Sequence, residues 1–241
     1  MRIAVGFDFD HTLAIDNRLE RTALIDLASE IGVTIGANDM ARLAQIDTLL
    51  QEMRMDTLTV DQAVTRFVHS IGKDHTSTGL TGRFKEICYA LVPHHVVALA
   101  GANELFAQLR SRGIRYAVLT NGWSPLQERK AEAIHYDGPL LVSGAMGVAK
   151  PSAQAFAQLA DLFPTDARIW YVGDNPATDV RGSMEAGFEG VWYHEHSGLP
   201  YPSYLPAPSA VIDRLLDIIP LIDGADEQGK PGRFEAMPKL H

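Results

Sequence analysis

Apolar residues fill positions 3–9 almost without interruption, which predicts a buried strand. Behind Leu13 the period changes. Leu19, Ala23, Leu27 and Ile31 fall on one face of a helix expected over 17–31, and Gly32 closes it. Similar spacing predicts helices over about 38–53, 60–71 and 81–91, with Asn38 and Thr59 as N-caps of the first two. No strand-like alternation falls between 14 and 95, so a block of helices follows directly on the first strand, and Pro93 marks its break. The pattern then alternates: helix 102–112 closed by Gly113, strand 114–119, helix 124–134, strand 140–142, helix 152–163, strand 169–172, helix 176–186, strand 191–193. Such alternation implies a parallel sheet covered on both faces, with ligands at the carboxyl ends of its strands. Residues 197–208, rich in Pro, Ser and Tyr, read as a loop, and 211–222 as a last amphipathic helix. From Gly224 onward Gly, Pro and charge predict a poorly ordered tail.

Composition narrows the class. The chain has 241 residues and 46% hydrophobic content, enough for one large core or two small ones. Its net charge of −9 argues against a nucleic-acid polymer or a membrane surface as partner. An anionic substrate stays open, because a few lysines and a metal ion reverse the potential locally. The single cysteine, Cys88, lies in the apolar run 87–91 and reads as core packing rather than a nucleophile. That cysteine usage, with no visible leader and no apolar run long enough to span a bilayer, sets the expected location as the cytoplasm.

The candidate chemistry stands just after the strands. Asp8 and Asp10 flank one aromatic, with Thr12 beyond; on a regular strand both carboxylates leave from one face. Paired carboxylates repel unless a cation compensates, and hard oxygen ligands suit Mg²⁺. An alternative is that they cap the next helix. Thr120-Asn121-Gly122 offers a hydroxyl, an amide and backbone N–H groups to an anion, or is an ordinary turn. Lys150 precedes a helix, where an ammonium can reach a negative group, or is ordinary solvated surface. Val172-Gly173-Asp174 ends a strand, and Asp179 follows five residues later; either aspartate could cap the next helix, but with Asp8 and Asp10 at a strand end of the same sheet they fit a metal site better. Four consecutive strand-end loops thus supply an acidic pair, a donor pair, a lysine and a second acidic cluster.

In that order the motifs resemble those of the haloacid dehalogenase-like (HAD) hydrolase superfamily, and the likeness covers about residues 1–222. It implies an α/β fold: a Rossmann-like parallel core from 1–14 and 97–222, an inserted helical cap of the C1 type over 15–96, and a flexible tail over 223–241. It implies Mg²⁺-dependent hydrolysis of a small phosphorylated metabolite. Asp8 is then the nucleophile, Asp10 the acid and base, and Lys150 the charge neutraliser. Thr120 and Asn121 with its neighbouring N–H groups bind the phosphoryl oxygens. Asp8, Asp10 through its carbonyl, and Asp174 hold the metal, with Asp179 supporting. His11 stands where the superfamily commonly has Gly and is a possible substrate contact. Thr120-Asn121-Gly122 with Gln127, Arg129 and Lys130 is similar to a branch of nucleotide and sugar phosphatases.

Other reactions of that superfamily fit less well. A 2-haloacid dehalogenase needs neither Asp10 nor the acidic fourth loop. Phosphonate cleavage uses a cap lysine, yet the first lysine of the chain is Lys73. A phosphomutase keeps all four motifs and stays an alternative, whereas a pseudo-phosphatase is expected to lack Asp8, Asp10 or Lys150. Asn17, Arg18 and Arg21, near the hinge, either touch a leaving group or form a solvated helix face, the reading preferred for each, and 45–55 with Leu49, Leu50 and Met53 reads as cap core rather than a hydrophobic substrate slot. His94 with His95, and His194 with His196, are not read as metal sites.

Overall fold

The structure, a computed structural model, describes residues 2–55, 57–73, 79–194 and 200–228. Its first strand, β1 (Arg2–Phe7), is flanked on both sides. Val5 and Phe7 face one hydrophobic cluster and Ala4 faces another, the period-two alternation of a strand buried on both faces. β1 stops two residues short of the expected end because the Phe9 carbonyl accepts from the N–H groups of Thr12, Leu13 and Ala14. This tight turn sends Asp8 and Asp10 to different partners, contrary to the regular-strand expectation.

The two-residue strand β2 (Ala14–Ile15) leads into α1 (Leu19–Glu30), α2 (Met40–Arg54), α3 (Val60–Ser70) and α4 (Leu80–His95). β3 (Val97–Ala98) pairs antiparallel with β2, so the chain enters and leaves this helical insert side by side. Both strands are too short for periodicity to reveal. Asp39, rather than Asn38, caps α2 by accepting from Arg42 N. Thr59 caps α3 as expected, in a reciprocal box with Gln62. Pro93 lies inside α4, which ends two residues later; a proline in the last turn costs only one backbone bond.

The remaining strands complete the sheet. α5 (Ala102–Ser111) precedes β4 (Arg115–Thr120), and α6 (Leu126–Ala133) precedes β5 (Leu140–Val142). The short α7 (Ser143–Met146) and α8 (Ala153–Ala160) lead to β6 (Ala167–Gly173). A π-helical turn, Pro176–Arg181, runs into α9 (Gly182–Glu185) and then β7 (Glu189–Tyr193). β8 (Ala210–Ile212) follows the irregular stretch 200–209. The helix expected over 211–222 is therefore corrected. It opens as an edge strand, with Val211 exposed and Ile212 buried, and passes through a 3₁₀ turn, Leu215–Asp217, into α10 (Ile218–Gln228). Residues 223–228 are helical rather than tail; 229–241 lie outside the described residues. The six strands are all parallel in the order β5-β4-β1-β6-β7-β8, which is Rossmann-like.

Candidate active site

β1 and β6 are neighbours in the sheet although β4 and β5 come between them in the chain. The order reverses at this pair, which opens a crevice above the strand ends. Lys150 lies at its floor, 2% exposed. Its Nζ donates to Asp8 Oδ1 at 2.5 Å, Asp179 Oδ1 at 2.8 Å and Tyr171 Oη at 3.0 Å. Tyr171 donates onward to the Leu119 carbonyl at 2.8 Å. Gly6 permits this: a Cβ there would come within 2.7 Å of the Tyr171 ring. Thr12 joins two loops, donating to Asp8 Oδ2 at 3.4 Å and accepting from Asp174 N at 3.1 Å.

Carboxylate oxygens of Asp8, Asp174 and Asp179 lie within 4.8 Å of one another. Burial pushes Asp8 up to about 7; Lys150 pulls it down, but the charges of Asp179 and Asp10 add to the rise. Burial, with the charges of Asp8 and Asp179, pushes Asp174 up to about 8. Burial also works against the charge of Lys150, yet Asp179 and Asp8 outweigh it and hold that amine well above its usual range. An all-oxygen cluster whose members resist ionising together fits a hard divalent cation. Both oxygens of Asp179 already accept hydrogen bonds, Oδ1 from Lys150 and Oδ2 from Asn175 N. The π turn brings this about. Val180 N bonds the Asn175 carbonyl five residues back, and Asn175 rather than either aspartate caps the turn.

The other expected residues sort by partner. Asn121 Nδ2 donates to the Lys150 carbonyl and Asn121 Oδ1 accepts from Lys150 N, both at 2.9 Å. Its amide thus clamps the lysine loop instead of facing an anion. Thr120 is buried and lines the cavity. The Asp10 carboxylate is not in the metal-like group. It accepts from Gln127 Nε2 at 2.9 Å and Lys130 Nζ at 3.1 Å. Lys130, 1% exposed, also donates to Asp16 Oδ2 at 2.8 Å. Burial opposes ionised Asp16, but Lys130 more than compensates and holds it down at about 2. This bridge was not read from the sequence. Its signal is a lysine four residues after Leu126, on the buried face of α6. His11 adopts φ 62°, the left-handed region where glycine is easiest, and lines the cavity.

The cavity measures about 580 Å³ and extends under the insert. Arg18 and Arg21 line it, as do Asp47 and Arg54 of α2; Arg18 is exposed, as expected of a solvated face, whereas Arg21 is half-buried. Leu49, Leu50 and Met53 are core, as expected. Asn17 donates to the His95 carbonyl at 2.7 Å, clasping the two ends of the insert. Among the described residues His94 and His95 join no metal-like group, and His194 lies 3.2 Å from Asp213. His196 lies outside them. Cys88 is buried and its thiol is pushed up by burial, as core packing requires. No helix among the described residues is long and apolar enough to cross a membrane.

A family model described as haloacid dehalogenase-like hydrolase matches residues 4–187. The phosphoserine phosphatase of Thermus thermophilus is 39% identical over 97 residues, 38% of either protein. The N-acylneuraminate-9-phosphatase of Rattus norvegicus is 28% identical over 155 residues, 60% of this chain and 61% of that protein. The matched stretches therefore span less than two thirds of these curated relatives. Among solved structures, magnesium-bound YfnB of Bacillus subtilis, a HAD-hydrolase, has a TM-score of 0.71 at 20% identity, covering 92% of this chain and 100% of that one. A 2-haloacid dehalogenase of Pseudomonas syringae has a TM-score of 0.68 at 20% identity, covering 93% and 100%. At such identities the structural likeness is one of fold.

Proposed function

Because the chain belongs to the haloacid dehalogenase-like hydrolase family, we propose that it is a cytoplasmic, Mg²⁺-dependent phosphatase of a small phosphomonoester, a sugar phosphate or nucleotide in class. The observation that carries this reading is the buried bridge from Lys150 to Asp8 and Asp179, beside Asp174. The phosphatases among its relatives support it.

Asp8, Asp174 and the Asp10 carbonyl would hold Mg²⁺, with Asp179 in support. The ion supplies charge neutralisation for the transferring phosphoryl group. Asp8 attacks phosphorus in line through one carboxylate oxygen, and the P–O bond to the leaving alcohol breaks. Asp10 gives that alkoxide its proton. The resulting aspartyl-phosphate is hydrolysed by water, whose proton Asp10 takes, restoring both carboxyl groups. Lys150 offsets charge on Asp8 and on the phosphoryl oxygens throughout. Thr120 and backbone N–H groups near Asn121 orient those oxygens. Asn121 acts through its clamp on the lysine loop. The helices of 15–96 act as a cap, closing about the β2–β3 pair to exclude bulk water.

A 2-haloacid dehalogenase shares the fold, but that reaction has no use for Asp10 and Asp174. The test is hydrolysis of p-nitrophenyl phosphate with Mg²⁺ and with EDTA, by wild type and Asp8→Asn. Turnover is expected that needs Mg²⁺ and falls by at least a thousandfold in the variant. Chloride release from 2-chloropropionate, with no phosphate release from a phosphomonoester panel, would overturn the reading.

A further inference from the structure

Asp174 is held differently from its two neighbours in the acidic cluster. Asp8 and Asp179 each accept from Lys150, whereas among the described residues no side chain donates to the Asp174 carboxylate. Ionised, that carboxylate is repelled by Asp8 and Asp179. It also stands just past the end of β6, where the sheet ladder no longer fixes the backbone. Two side chains take over that task. The Thr12 hydroxyl accepts from Asp174 N at 3.1 Å, and Trp192 Nε1 donates to the Asp174 carbonyl at 3.0 Å. Both polar groups of this backbone are thus tied to side chains from elsewhere in the chain.

Trp192 is placed for the purpose by the sheet. It pairs with Gly173 in the parallel register of β6 and β7, level with the residue before Asp174. Its ring is buried, and it is braced by Tyr201 edge-on at 5.1 Å and by His194 at 4.5 Å between centroids. A packed indole offers one donor in a fixed direction, so it holds its acceptor at little cost in entropy. Trp192 is outside the lining of the catalytic cavity and acts only through Asp174. The contrast is Trp170 on β6. It is also buried, yet its indole N–H has no hydrogen-bond partner among the described residues.

Resting on the phosphatase reading and its metal, we propose that Trp192 is a positioning residue for the metal site. Its N–H fixes the Asp174 carbonyl, and this keeps the ionised carboxylate in the cluster instead of letting it swing away from Asp8.

The test is equilibrium titration with Mn²⁺, an ion that shares the preference of Mg²⁺ for oxygen ligands. Loss of the free-ion EPR signal gives both a Kd and the number of sites. Trp192→Phe removes the N–H and keeps an aromatic ring. It is expected to weaken Kd about tenfold, the lower end of what losing an outer partner of a metal ligand costs. Trp170→Phe, the same change on the neighbouring strand, should leave Kd at the wild-type value. The site number counts molecules that remain folded, so a loss of folded protein does not pass for weaker binding. If Trp192→Phe does not fold, benzothienylalanine at position 192 keeps the bicyclic shape without the N–H. In p-nitrophenyl phosphate hydrolysis the Mg²⁺ concentration for half-maximal rate should rise with Kd, while kcat at saturating Mg²⁺ stays near wild type. An unchanged Kd in Trp192→Phe, or an equal weakening in Trp170→Phe, overturns the positioning role. Wild-type turnover separates the two readings. Mg²⁺-dependent hydrolysis with an unchanged Kd in Trp192→Phe sinks the positioning role and keeps the phosphatase. A weakened Kd with no hydrolysis of any phosphomonoester by the wild type does the reverse.

Discussion

Lys130 shows how far a residue's role depends on what folds against it. A lysine with 1% exposure is retained only because Asp10 and Asp16 close on it from another part of the chain. Lys130→Met leaves Asp16 charged and buried without its partner. The expected loss is about 3–5 kcal/mol in urea unfolding, with Lys130→Arg recovering part of it. The same pair sets an acid limit. Asp16 is held below its unfolded value of 3.8, so its contribution is complete above about pH 4 and is lost as pH falls through about 2. Roughly 2 kcal/mol should go in that window, and thermal unfolding between pH 5 and 2 with wild type and Asp16→Asn checks it. At His11 the backbone decides. His11→Gly should leave stability almost unchanged, because relief at φ 62° offsets the added chain entropy, whereas His11→Val should cost about 1–2 kcal/mol.

At the scale of elements, local chemistry was legible where the signal was local. The capping box of Thr59 and Gln62 is written in four residues, and Thr59→Ala is expected to cost about 1 kcal/mol by urea denaturation. The strands β1, β4, β5, β6 and β7 were legible as apolar runs. β8 was not: three residues ahead of a helical stretch carry no period, and only the open edge of β7 makes them a strand. The β2–β3 pair escaped for the same reason, since two-residue strands are defined by each other. The π turn at Pro176–Arg181 looked like ordinary helix, because a single widened turn changes no pattern of residue types.

At the scale of the molecule, the crevice gathers negative charge that the fold alone does not balance. Asp8 and Asp174, pushed up to about 7 and about 8, oppose folding as pH rises from their unfolded value of 3.8 through those values. Their penalty is absent below about pH 4 and complete above about pH 8. A divalent cation needs both ionised, so millimolar Mg²⁺ should raise the melting temperature more at pH 8 than at pH 6. An equal rise at both pH values would contradict a site built from these two carboxylates. Gly173→Ala should weaken the response, because a Cβ there collides with the Asp179 side chain.

Read alone, the sequence determined the α/β class, the helical insert behind the first strand, and the four loops that bear Asp8, Thr120, Lys150 and Asp174. These are short-range properties, carried by periodicity and by residue type at strand ends. Tertiary structure alone decided which groups meet. It turned Asn121 onto the Lys150 backbone, gave Asp10 to Lys130, and set Arg18 and Arg54 over the cavity. Asp10 and Lys130 are 120 residues apart, and Glu20 and Trp123 are 103 apart. Such pairings leave no local pattern, because packing the insert against the sheet is what brings their elements within reach.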